Sequence, residues 1–262
     1  MAAPPAYHDV VGGSAPPIAE ASSSASPFRR RKVASITLHD NDRMYILGFP
    51  PELMKMLEKL IHSEWRVGIQ KVTVLKSGGS EYKFKGEPWD VRDRRDGIPA
   101  CRLMMRILSA LALEGWGLVL STGFQHSPHN NDTLFFREGP RLERTFFVIS
   151  FPRSDRIRII DAPRHVEDQF ISVFRSWWSG VQNREELGRG VYEFQLKGKP
   201  FGQSAKDNIP IRLMMSELLE VLDGLGYEVF ANVGMDYGDS HSREERRNWT
   251  SVDTWFLTDR RE

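Results

Sequence analysis

Cysteine is nearly missing from this 262-residue chain, Cys101 being its single instance. That excludes an intramolecular disulfide and a zinc site made of several thiolates, and the apolar neighbours of Cys101 place it in a core. Long apolar runs are missing too. None approaches the roughly 20 residues that span a bilayer, so no membrane insertion is expected. Charge of one sign is also lacking: 36 Lys and Arg stand against 35 Asp and Glu, leaving no global field to draw in nucleic acid. Glycines are scattered, with no Gly-x-Gly-x-x-Gly after a strand and no Gly-Lys-Ser/Thr loop to cradle phosphates. There is no Gly-x-Ser-x-Gly elbow, and one Cys with distant histidines is a poor start for a nucleophile pair. His126 and His129 share a polar loop, but Pro128 between them prevents presentation from one helix face. The expectation is no metal, no cofactor and no catalytic set. The N-terminus carries prolines and Asp9 where a secretory signal would place a charged start and an apolar run, which suggests a cytoplasmic protein.

What the chain does have is the same unit twice. Arg43 to Trp65 lies on Arg156 to Trp178 without a gap, with Ile46/Ile159, Pro50/Pro163, Ser63/Ser176 and Trp65/Trp178 identical. Lys85-Gly86-x-Pro88-Trp89 then meets Lys197-Gly198-x-Pro200-Phe201, Arg102-Leu-Met-Met105 meets Arg212-Leu-Met-Met215, and Asp132-Thr-Leu-Phe135 meets Asp253-Thr-Trp-Phe256. Four blocks in one order exclude chance. The repeats are read as residues 33–138 and 145–262, behind a tail at 1–32 whose Pro, Ala and Ser composition cannot bury enough surface to offset the entropy of ordering it.

Each unit opens with two short alternating runs around a polar turn, which is a β-hairpin. An amphipathic helix follows, on Leu53, Met56, Leu57, Leu60 and Ile61 in one copy and Val166, Phe170, Val173, Phe174 and Trp177 in the other. A strand, a second helix ending at Gly115 or Gly226, and two closing strands complete it. In copy one Lys71 to Leu75 and Gly78-Gly79 suggest a further hairpin. The expected fold is α+β: a tandem ββαβαββ duplication, two mainly antiparallel sheets with helices on one face. The short link from Glu138 to Thr145 predicts a rigid pseudo-twofold pair.

Duplicated polar residues are the candidate brace or cleft lining. Arg102 and Arg212, read as first-turn residues of the second helices, are expected to pair with Asp132 and Asp253 at the start of the final strands. Trp89 and Phe201 sit at the tips of the Gly-x-Pro loops, where they cap a core or close a pocket. A small-molecule or enzymatic site in the cleft between the units would need these loops and an inward arginine. A nucleic-acid face would need Arg29 to Lys32 with Arg92, Arg94 and Arg95, and the balanced charge argues against it.

One motif lies outside the repeats. Pro4-Pro5-Ala6-Tyr7 resembles the PPxY motif bound by WW domains, modules found in HECT-type ubiquitin ligases and many adaptors. Consecutive prolines preset polyproline II, so little entropy is lost on docking in an aromatic groove. The resemblance implies that Pro4, Pro5 and Tyr7 recruit a WW-domain protein, and the reading is an intracellular adaptor. The basic block Arg29 to Lys32 adds the nucleus as a second location.

Overall fold

Val33-Ala-Ser-Ile-Thr-Leu-His39 buries every second side chain, the period of a strand with one dry face. In the computed structural model this strand, β1 (Val33–His39), passes through Asp40, left-handed at φ 51°, into β2 (Arg43–Leu47). The structure describes residues 31–76, 78–89, 94–123, 130–177, 180–198, 200–202, 209–235 and 253–260. Helix α1 (Pro51–Glu64) begins on a proline, whose missing N–H has no helical partner to lose there, and it buries Leu53, Leu57 and Ile61. A hairpin of β3 (Ile69–Val74) and β4 (Ser80–Phe84), then α2 (Arg94–Leu113), β5 (Trp116–Thr122) and β6 (Asn130–Glu138), complete the first repeat.

The second repeat runs β7 (Phe146–Arg153), β8 (Arg156–Ile160), α3 (Arg164–Trp177), β9 (Val181–Gly188), β10 (Val191–Leu196), a 3₁₀ turn at Pro200–Gly202, α4 (Ile209–Gly224), β11 (Tyr227–Gly234) and β12 (Asp253–Asp259). The two six-stranded sheets share one order, β3-β4-β2-β1-β6-β5 and β9-β10-β8-β7-β12-β11, and every neighbouring pair is antiparallel. The molecule is thus an α+β tandem duplication. Each unit is ββαββαββ: the further hairpin expected in copy one is present as β3 and β4, and copy two has the same extra strand, which its sequence pattern does not suggest. The extra strand of the second copy, β9, is Val-Gln-Asn-Arg-Glu-Glu-Leu-Gly at a sheet edge with five of its eight residues exposed. Such a strand is held by its backbone ladder to β10 rather than by an apolar face, so it carries little hydrophobic period to read.

The repeats are not related as a pseudo-twofold pair. One core cluster joins α1, α2 and the inner face of the first sheet to Phe146, Val148, Ile160, Val191, Val233 and Phe256 of the second. The other gathers Phe147, Ile149, Ile157, Ile159, Phe194 and Leu257 with α3 and α4. In β7 successive residues therefore serve different cores. The second sheet lies between the helices of its own repeat and α2 of the first, which touches β7 and β8. A helix face of copy one thus meets a sheet face of copy two, a head-to-tail contact rather than a self-complementary one. The physical cause is visible in β7: Phe146 through Ser150 are all buried, whereas β1 alternates. A strand covered on both faces has no polar side to turn outward. Among the described residues no helix is long and apolar enough to cross a membrane.

Candidate functional site in the groove between the repeats

Trp89 is fully buried, its Nε1 donating to the Arg43 carbonyl at 2.7 Å and its ring meeting Phe84 edge-on at 5.3 Å. Phe201 packs on Phe151 at 5.3 Å in the second core. Both residues cap their own repeat's core, and neither closes a cleft.

The expected Arg–Asp braces do not form. Helix α2 starts at Arg94, which puts Arg102 in its third turn rather than its first. From there Arg102 crosses to the other repeat: Nε and Nη2 donate to the two carboxylate oxygens of Asp161, each at 2.8 Å, and Nη2 also reaches the Arg189 carbonyl at 2.8 Å. This forked geometry is the strong form of an Arg–carboxylate pair, and the bond to Asp161 raises the pKa of the guanidinium. Asp132 instead accepts from the Gly234 backbone N–H at 2.7 Å, again across the repeats. Its carboxyl pKa is raised by burial, opposed by the Gly234 bond and reinforced by nearby Asp253. Arg212 and Asp253 are exposed and make no bond to each other. Duplication preserved the residues, but one copy took them for the interface.

Asp161 is placed by unusual local structure. It sits at φ 57°, where only glycine is comfortable and Asp is among the tolerated exceptions; its counterpart in the first repeat is Gly48, at φ 79°. Gly190 makes room beside it, since a Cβ there would come within 2.8 Å of Asp161 Oδ1. A carboxylate carried on a left-handed backbone opposite a forked arginine is a built contact.

Around this pair runs a groove of about 970 Å³ between the end of α1, α2 and the edge of the second repeat. Five arginines line it, Arg66, Arg102, Arg106, Arg144 and Arg189, against two acids, Glu64 and Asp161. Arg144 is engaged, pairing with Glu228 at 2.8 Å and lying 5.5 Å from the centre of the Phe230 ring. Arg66, Arg106 and Arg189 are exposed, and among the described residues none of the three is in an ion pair. Met105 and Phe146, both buried, supply apolar floor.

A second polar feature is duplicated in register. In the first sheet Glu81, Tyr45, Thr37 and Thr133 lie side by side across four strands; in the second the same places hold Glu193, Arg158, Ser150 and Thr254. Arg43 and Arg156 ion-pair with the two glutamates at the row's end. The first row is partly open to solvent, beside a shallow depression of about 390 Å³ bordered by Lys71 and Lys83. The second is sealed: Arg158 donates to Glu193 at 2.9 Å with both side chains at 2% exposure or less. Sequence comparison pairs Arg43 with Arg156 and Thr133 with Thr254 but passes over the glutamates, because between them Tyr45 stands against Arg158 and Thr37 against Ser150.

Cys101 is buried and its thiol is pushed up to about 12 by desolvation, which leaves it unreactive. Among the described residues no cluster of His, Cys, Asp and Glu could hold a metal ion. Pro4, Pro5 and Tyr7 lie outside the described residues, as do His126, His129 and Arg92. A model of one domain family matches the chain twice, over residues 32–137 and 145–258. No curated protein and no solved structure matches it.

Proposed function

The chain belongs to that domain family and carries its domain in two copies; we propose that the protein is an interaction adaptor, with a rigid two-repeat body that holds one partner and a tail that recruits another. The tail partner is a WW-domain protein, such as a HECT-type ubiquitin ligase, bound through Pro4, Pro5 and Tyr7. The observation that carries this reading is the Pro-Pro-Ala-Tyr sequence, whose preset backbone lowers the entropy of docking and whose tyrosine fills a second pocket. The body supports it by offering a charged groove instead of a mostly apolar enclosed pocket. The intracellular location, cytoplasmic and also nuclear through Arg29 to Lys32, is part of the same proposal. A peptide of residues 1–15 is expected to bind WW domains in a titration, with Tyr7→Ala abolishing the signal. Equal binding by both peptides, or none by either, refutes the recruitment.

The runner-up is a small-molecule site or enzyme in the groove. The specific observation in its favour is that Arg102 does face the groove. Asp161 already occupies that arginine, which favours the adaptor.

A further inference from the structure

From the groove between the repeats we infer that the body binds an acidic peptide segment, with the side chains of Arg66, Arg106 and Arg189 taking its carboxylates. This inference rests on the adaptor reading for its biological sense and supplies the second contact that an adaptor needs. Three observations carry it. The first is charge. The chain as a whole is almost neutral, at +1, yet the groove gathers five arginines against two acids, and two of the arginines are held by protein carboxylates while three have no ion pair among the described residues. Concave surfaces of one sign focus the field on a ligand of the opposite sign.

The second observation is an internal precedent. Arg102 grips the Asp161 carboxylate with a fork at 2.8 Å on the groove wall, so this groove already shows the geometry in which its arginines bind an acid. The planar guanidinium matches a carboxylate in that way, whereas an ammonium does not. The third is shape and lining. About 970 Å³ is at the top of the roughly 300–1,000 Å³ range of small-molecule pockets, and the groove opens to solvent, which admits a segment of chain. Met105 and Phe146 offer apolar surface between the charges, so the fitting segment alternates acidic residues with an apolar side chain. That floor favours a peptide over a nucleic acid, whose backbone presents charge at every step.

The probe is a fluorescein-labelled decapeptide of Asp and Glu around one Leu, titrated by anisotropy with the full chain. Saturable binding that weakens as NaCl rises is expected, lost in a peptide with Gln and Asn for the acids. Arg106→Glu with Arg189→Glu should weaken binding by on the order of tenfold or more, while Lys71→Glu with Lys83→Glu, which line the separate depression on the first sheet, should not. Because both groove positions are exposed, these variants should melt like the parent, and the salt dependence of the parent is a readout independent of any variant. No saturable binding overturns the inference. So does an equal loss in the Lys71 and Lys83 variant, or tighter binding of a single-stranded oligonucleotide of the same charge. Tyr7→Ala is expected to leave peptide affinity unchanged, so failure here and failure of WW recruitment are told apart.

Discussion

Asp132 shows how one side chain can face in two energetic directions. Burial and nearby Asp253 disfavour its ionised form, and the Gly234 N–H favours it, with burial the largest cause and the net pKa raised. A carboxyl whose folded pKa is raised contributes stability at pH below its unfolded value, and that contribution is lost as pH climbs through the folded value. Asp132→Asn keeps an acceptor for Gly234 and cannot ionise. The variant is therefore expected to melt above the parent at pH 7, with the gap closing as the pH falls into the ordinary aspartate range. A variant less stable than the parent at pH 7 would show that the bond to the ionised carboxylate outweighs its desolvation. The same residue shows a limit of sequence reading: that Asp132 and Arg102 were both duplicated is legible, while their partners, Gly234 and Asp161, sit in the other repeat and no alignment of the copies points to them. Asp161 has glycine as its counterpart, so the comparison hides the residue that completes the contact.

At the scale of strands, the duplicated polar row offers the same chemistry in two dielectrics. Glu193 and Arg158 are sealed between α2 and the second sheet, while Glu81 and Arg43 stay partly hydrated, with a third of the Arg43 side chain exposed. Removing one partner of a buried pair strands the other charge at a cost of about 3–5 kcal/mol. A partly hydrated pair contributes roughly 0–1 kcal/mol. Glu193→Ala should therefore lose several times more stability than Glu81→Ala in urea unfolding at pH 7, and similar losses would contradict the sealed environment. Which strands exist was legible for most of the chain, because β1, β2 and β10 announce themselves by apolar period or by the hairpin. β9 does not, since an exposed edge strand depends on its neighbour's backbone for definition. The double burial of β7 had a signal as well: the unbroken Phe-Phe-Val-Ile run against the alternation of β1.

For the molecule as a whole, the head-to-tail packing makes the repeats interdependent. Phe146, Val148, Ile160 and Phe256 belong to the first repeat's core although they come from the second sheet. A fragment of residues 145–262 is expected to expose them, bind a hydrophobic dye and aggregate, while the full chain unfolds in one calorimetric transition over its compact unit from Arg31 to Glu262. Two separated transitions, or a soluble dye-negative fragment, would show instead that each repeat is self-sufficient. The amino-acid sequence by itself determined the duplication, the α+β class, the helix and most strand positions, and the Pro-Pro-Ala-Tyr tail, because these depend on local period, turn chemistry and residue identity. Tertiary structure alone decided that the repeats stack helix face on sheet face, that Arg102 answers to Asp161, and that scattered arginines converge on one groove. Those facts depend on which surfaces lose water together, and that is a property of the packed pair and not of either copy.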